Sequence, residues 1–238
     1  MQLRPEDVTS DNEYAAFLKY GGLAVEEARR LRIEQNGIPD NLDLDQYSGI
    51  IVGGSPFDIS TPVAKKSATQ KKIERDFKHL FDVVVPNDIP FLGACSGNGL
   101  LGSYLGTAIT PRYGEAVGCY SVGITEAGKS DPLLAGFPER ITVLLGHKEA
   151  CDSVPAGATL LVEGTSCPVQ MFRVGNNVYA TQFHPEGDGE GFTVRIHAYK
   201  NHGYFEPHEA DSLIDAVCEK ETPHAQDILR RFVSRYRQ

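Results

Sequence analysis

The chain has 238 residues, 41% hydrophobic and 23% charged, with 32 Asp and Glu against 23 Lys and Arg for a net charge of −9. This is ordinary globular usage, long enough to bury a core without disulfide or metal staples and unlike a disordered or collagen-like chain. The acidic balance argues against a nucleic-acid partner held through its phosphates, and the lack of an 18-residue apolar run argues against a membrane span.

Residues 1–4, before Pro5, leave room for only a short first strand, and residues 1–11 show no secretory signal. Residues 11–31 read as a helix with Tyr14, Phe17 and Leu18 on one face, open to interruption at Gly21-Gly22. Residues 48–52 form a short apolar run ending at Gly53-Gly54, the pattern of a buried parallel strand feeding a loop. Pro62 is expected to open a second helix running to about residue 82, whose stripe is Ile73, Phe77, Leu80, Phe81 and Val84. Its lysines at 65, 66, 71, 72 and 78, with Arg75, read as a solvated face. Residues 89–93 form another buried strand, followed at once by a turn and an apolar helix from about 98 to 105.

The second half is richer in strands, expected at 116–125, 141–145, 159–163, 168–174 and 178–183, with Gly175-Asn176-Asn177 as a turn. Apolar residues at 213, 214, 217 and 218, and again at 228, 229, 232 and 233, mark closing helices. No repeat or linker divides the chain, so residues 1–238 read as one domain. The alternation predicts a three-layer α/β sandwich with a mostly parallel, flavodoxin-like central sheet and a small antiparallel element in the second half.

Three places carry chemistry. Gly93-Ala94-Cys95-Ser96-Gly97 is a G-x-C-x-G sequence between a strand and a helix, the cysteine form of a nucleophile elbow. Small neighbours permit the tight turn, and the helix N-terminus favours thiolate at Cys95 and offers the Ser96 N–H to an oxyanion. In Gln182-Phe183-His184-Pro185-Glu186, His184 and Glu186 are two apart in an extended stretch, so the carboxylate can orient the imidazole as a base. Gly53-Gly54 can bring a backbone N–H close to a substrate as a second oxyanion donor, from Gly54. The other histidines, at 79, 147, 197, 202, 208 and 224, lack such an arrangement. Five cysteines with no CxxC and no zinc spacing read as free thiols of a cytoplasmic protein, and no metal is expected.

A Gly-Gly loop, then G-x-C-x-G, then Q-F-H-P-E resembles the class I, triad-type glutamine amidotransferases over nearly the whole chain. Residues 131–136, 167–173 and 232–235 look most like the glutaminase portion of GMP synthase within that family. The resemblance implies that Cys95 attacks a glutamine side-chain amide, forms a γ-glutamyl thioester, and releases ammonia and glutamate without a cofactor. It assigns Cys95, His184 and Glu186 as the triad, and Gly53, Asn98, Gly99 and His147 to the substrate side.

Two departures bear on the substrate. Gly99 stands where the family has a substrate-holding Gln, and Lys148-Glu149 follow His147 where many relatives have Gly-Asp. Glutamine then binds weakly, or Asn98 substitutes, or the substrate is another γ-glutamyl compound. Three readings stay open. The chain is an amidotransferase domain whose ammonia goes to a separate synthetase subunit, or a hydrolase of γ-glutamyl amides or peptides, or a catalytically idle interaction subunit. No G-x-x-x-x-G-K-[ST] sequence is present to serve as a nucleotide-binding loop.

Overall fold

Helix α1 (Asp7–Gly21) starts earlier than the apolar pattern suggests and stops at Gly22, whose φ of 65° is a left-handed C-cap. The stretch beyond it, expected to be helical, instead makes a 3-10 turn at Val25–Glu27 and the single turn α2 (Ile33–Asn36). Strand β1 (Ile50–Val52) follows, then α3 (Ala68–Val84). That helix begins six residues after Pro62 because Ser67 supplies the cap, its hydroxyl accepting the Gln70 N–H at 3.1 Å. Its apolar stripe is buried as expected, but the basic face is not wholly solvated: Lys66 turns inward to Glu74 at 2.6 Å.

Next come β2 (Phe91–Ala94), α4 (Ser96–Tyr104), β3 (Ile109–Thr110), β4 (Glu115–Ile124), the turn α5 (Glu126–Lys129), β5 (Arg140–His147) and β6 (Ala150–Cys151). The chain closes with β7 (Ala158–Glu163), β8 (Met171–Val174), β9 (Val178–Thr181), α6 (Gly189–Tyr199), α7 (Ala210–Val217) and α8 (Pro223–Tyr236). This computed structural model describes every residue except His202 and Tyr204, so the histidine at 202 lies outside the described residues. The sequence pattern did not show α6; glycines at 187, 189 and 191 blur its start, and Asp188 caps it by accepting the Gly191 N–H at 2.7 Å.

The fold is the expected three-layer α/β arrangement. The main sheet runs β1-β2-β9-β8-β7-β4-β5, with β3 and β6 forming the small antiparallel pair. β1, β2 and β9 are mutually parallel, and the remaining neighbours are antiparallel. Beyond β1, residues 1–2 lie extended between Ile51 and residues 31–33, lengthening the parallel side. Alternate residues of β2 and β9 point to opposite faces: Phe91, Val178 and Ala180 join the core under α3 and α4, while Leu92 and Tyr179 join that under α1 and α8. Each large side chain buried this way contributes roughly 1.5–3 kcal/mol. A third cluster of Leu144, Phe192, Ile196, Ala210 and Val217 seats α6 and α7 on β5.

Parallel strands end on the same side, so β1, β2 and β9 deliver Gly53-Gly54, Cys95 and residues 182–186 to one rim of the sheet. Among the described residues no helix is long and apolar enough to cross a membrane, and all five cysteines are free thiols.

Candidate active site

Cys95 occupies the junction of β2 and α4 with φ 52° and ψ −94°, a region an L-residue enters at a cost of about 1–3 kcal/mol. Its N–H donates to the Thr181 carbonyl at 2.8 Å, tying the turn to the end of β9. Gly93 is required by contact, since a Cβ there would lie 2.8 Å from the Gly97 carbonyl carbon. A Cβ on Gly97 would meet Val52 at 3.5 Å, an ordinary distance, so the second glycine of the elbow is less constrained.

Beyond β9 the chain is fixed by the Gln182 N–H on the Gln170 carbonyl at 2.8 Å and the His184 N–H on the Leu144 carbonyl at 3.0 Å. His184 Nδ1 faces Glu186 Oε1 at 2.8 Å, and Arg195 Nη2 donates to the same oxygen at 2.9 Å. The Phe192 ring meets the imidazole edge-on at 5.5 Å. Burial alone would raise the Glu186 carboxyl, but His184 and Arg195 outweigh it and hold the group well below the usual carboxylate range. Burial lowers His184 below its ordinary value, with Glu186 working against that shift. Burial pushes the Cys95 thiol up to about 12, a shift that Arg4 only partly opposes. That shift runs against the thiolate expected at the helix N-terminus.

Gly53 and Gly54 pack against a buried carboxylate that the sequence pattern does not reveal. A Cβ on Gly53 would lie 2.3 Å from Glu13 Oε2, and the Gly54 N–H donates to Glu13 Oε1 at 3.1 Å. Glu13 also accepts from Arg4 Nε at 2.7 Å. The Gly54 N–H is therefore engaged within the protein, whereas the Ser96 N–H stands at the first position of α4, where a helix supplies no partner of its own.

Two small cavities meet at Cys95. One, of about 30 Å³, is walled by Ser96, Gly99, His147, Lys148, Glu149 and Gln182 among others. The other, of about 40 Å³, is shared with His184 and walled by Arg4, Phe192, Arg195, Ile196 and Tyr199. Of the residues expected on the substrate side, Gly99 and His147 line the first cavity. The space above Gly99 belongs to Ile59, whose Cδ1 would lie 2.9 Å from a Cβ there. Glu149 holds that loop by accepting the Ile59 N–H at 2.5 Å and the Ser60 N–H at 2.8 Å. Lys148 Nζ reaches Asp58 Oδ2 at 3.1 Å beside it. Asn98 is fully buried, its Oδ1 accepting from the Cys151 thiol at 3.2 Å, while its Nδ2 has no partner among the described residues.

His147 is tied at both ring nitrogens, Nε2 at 3.0 Å from Glu115 Oε2 and Nδ1 at 3.0 Å from the Glu149 carbonyl. It steadies the 147–149 turn and has no ring nitrogen spare for a substrate. Glu115, His147 and Cys167 place one donor atom each within 4.8 Å of one another, a set of ligand types that suits zinc. The direct Glu115–His147 bond and the Gln170 Nε2 donating to Glu115 at 2.7 Å account for that cluster as a hydrogen-bond network. Arg195 follows Glu186 by nine residues and could have been suspected as a carboxylate partner once a helix was recognised there; Arg4 and Glu13 give no such signal.

Residues 23–204 match the family model described as glutamine amidotransferase class-I. The glutamine amidotransferase-like protein YfeJ of Salmonella typhimurium is 31% identical over 149 residues, covering 63% of this chain and 60% of that protein's length. Gamma-glutamyl peptidase 3 of Arabidopsis thaliana is 26% identical over 74% of this chain and 70% of its own. A glutamine-hydrolyzing GMP synthase subunit of Thermoplasma acidophilum is 26% identical over 66% of this chain and 74% of its own. Among solved structures, a glutamine amidotransferase from Thermotoga maritima shares the fold with a TM-score of 0.74, covering 99% of this chain and 96% of that one at 22% identity.

Proposed function

The chain belongs to the class-I glutamine amidotransferase family, and from that membership we propose that it hydrolyses the side-chain amide of glutamine or of a related γ-glutamyl compound through Cys95. The observation that carries the reading is the His184 Nδ1 to Glu186 Oε1 bond of 2.8 Å, on an imidazole that shares a cavity with a cysteine at a positive-φ elbow. A carboxylate on Nδ1 fixes the tautomer and leaves Nε2 as the basic nitrogen. With Cys95 as a thiol and His184 as a neutral imidazole, Nε2 takes the thiol proton as sulfur attacks the amide carbon. The Ser96 N–H stabilises the oxyanion, and such a donor typically contributes about 3 kcal/mol in the transition state. The Gly54 N–H joins it only where Glu13 releases that bond. His184 returns the proton to the departing nitrogen, then activates a water that cleaves the γ-glutamyl thioester.

A second reading keeps the triad and changes the substrate to a γ-glutamyl amide or peptide. It is favoured by Ile59 filling the space above Gly99, and one relative carries the name gamma-glutamyl peptidase. Relatives named as glutamine-hydrolyzing GMP synthase subunits support instead delivery of the ammonia to a separate synthetase partner. Amine release from glutamine and from a γ-glutamyl amide, by the wild type and by Cys95→Ala, tests both. Release of either that vanishes in the variant supports the chemistry, and release that persists in the variant refutes it.

A further inference from the structure

Acyl transfer places a negative oxygen on the substrate, and a single backbone donor at Ser96 is a thin provision for it. The loop glycine is not free to be the second donor, since the Gly54 N–H lies on Glu13 Oε1 at 3.1 Å. A cation stands over that same loop. A Cβ built on Gly54 would lie 2.5 Å from Arg4 Nη2 and 2.8 Å from His184 Cε1, so guanidinium and imidazole both border the space above the glycine. Arg4 also walls the cavity that Cys95 and His184 share. Two of its three nitrogens are fixed, Nε donating to Glu13 Oε1 at 2.7 Å and Nη1 to the Tyr199 hydroxyl at 3.1 Å. Its guanidinium lies 5.7 Å from the centre of the Tyr199 ring, a further contact that holds it. Nη2 has no hydrogen-bond partner among the described residues. Burial dominates the Cys95 thiol, and Arg4 is the first of the charged groups that oppose it, so its charge is felt at the sulfur.

We propose that Arg4 is the second oxyanion donor, its Nη2 filling the role that the Gly54 N–H cannot fill while Glu13 holds it. The inference rests on the reading that Cys95 forms a γ-glutamyl thioester. As sulfur bonds to the γ-carbon, the carbonyl π pair moves onto oxygen. That oxygen accepts from the Ser96 N–H and from Arg4 Nη2, and Arg4 keeps its proton throughout. When the carbon–nitrogen bond breaks, the pair returns to re-form the carbonyl and the nitrogen leaves with the proton held by His184. A charged donor is roughly twice as strong toward an anion as a neutral one. With Nε and Nη1 already tied, Nη2 is aimed before the reaction starts and needs no reorganisation. Glu13 then acts as a positioning residue, holding the guanidinium and the Gly54 loop on one carboxylate oxygen.

The test measures kcat and KM for glutamine and for γ-glutamyl-p-nitroanilide in wild type, Arg4→Met, Arg4→Lys and Cys95→Ala, beside the rate at which iodoacetamide alkylates Cys95. Alkylation forms no oxyanion, so it reads only what Arg4 does for the sulfur. Loss of an oxyanion donor predicts a fall of about a hundredfold or more in kcat for Arg4→Met, with KM nearly unchanged and alkylation slowed far less. Arg4→Lys keeps a charge for Glu13 but offers one nitrogen where the guanidinium has three, so its kcat falls by about tenfold or more. That variant retains the buried ion pair and carries the test if Arg4→Met fails to fold. A kcat within threefold of wild type in a folded variant overturns the assignment. So does a loss carried by KM, or one matched by an equal fall in alkylation. Each of these leaves Cys95-dependent amine release, and with it the thioester reading, standing. No Cys95-dependent release from either substrate by the wild type overturns both.

Discussion

Replacing Glu186 by Gln tests the electrostatics of the site more sharply than removing the nucleophile. Glu186 Oε1 receives both His184 Nδ1 and Arg195 Nη2, whereas Oε2 is buried without a partner among the described residues. A glutamine can keep its amide oxygen at the first position, which places its NH₂ at the second, where nothing accepts. Arg195 then loses its counter-charge in a buried setting, a loss of about 3–5 kcal/mol in stability. For a chain of this size that lowers Tm by roughly 2–4 °C per kcal/mol. The difference in Tm shrinks below about pH 4, because a depressed carboxylate contributes its stability above its unfolded pKa and loses it as pH falls. In catalysis the transient imidazolium loses a charge-assisted partner, about 1.5–3 kcal/mol, or roughly ten- to 150-fold in kcat. Glu186 also raises His184 against the effect of burial and of Arg195. Without it His184 is harder to protonate, so the acid limb of the rate profile moves to lower pH. Steady-state rates across pH, with circular dichroism to follow melting, read all of these. A variant with kcat within threefold of wild type and an unmoved acid limb would refute the reasoning.

Other predictions follow from single contacts. Gly93→Ala brings a Cβ within 2.8 Å of backbone, whereas Gly97→Ala meets Val52 at an ordinary 3.5 Å. The first should cost about 1–3 kcal/mol by denaturant melting and the second under about 1 kcal/mol; equal losses would count against the elbow geometry. With the Cys95 thiol pushed up to about 12, alkylation at Cys95 by iodoacetamide should climb through pH 7 to 10 without a plateau, as followed by peptide mapping. A plateau below pH 7 would indicate a resting thiolate–imidazolium pair. Gly99→Gln must displace Ile59, whose Cδ1 lies 2.9 Å from the new Cβ. Its effect should fall on KM, with kcat nearly unchanged, and a loss confined to kcat would contradict the placement of that loop on the substrate side.

The parts of this site legible in the sequence are those written in consecutive residues. Cys95 announces itself through its flanking glycines and its strand–helix setting, and His184 and Glu186 through a two-residue spacing that an extended backbone brings to one side. The rest depends on residues far apart in the chain. Arg4, Glu13 and Gly54 meet because residues 1–2 lie against β1 and α1 packs over it, a register that no local pattern encodes. The Gly53-Gly54 motif is visible in the sequence, but its glycines make room for Glu13 as well as for a substrate loop. Helix α6 is hidden because its first turn is glycine-rich, and with it go Phe192, Arg195 and Ile196, which wall the cavity shared by Cys95 and His184. His147 is a sensible candidate by position, yet both of its ring nitrogens are held within the protein, and Asn98 is buried with its Oδ1 on the Cys151 thiol.

The central claim is that Cys95 carries a γ-glutamyl group. Intact-mass and peptide mass spectrometry of the protein quenched during turnover with glutamine or a γ-glutamyl amide tests it most directly. The account predicts a γ-glutamyl adduct on the peptide containing Cys95, absent from Cys95→Ala together with all amine release. Amine release that persists in Cys95→Ala, or turnover with the adduct on another residue, would contradict it.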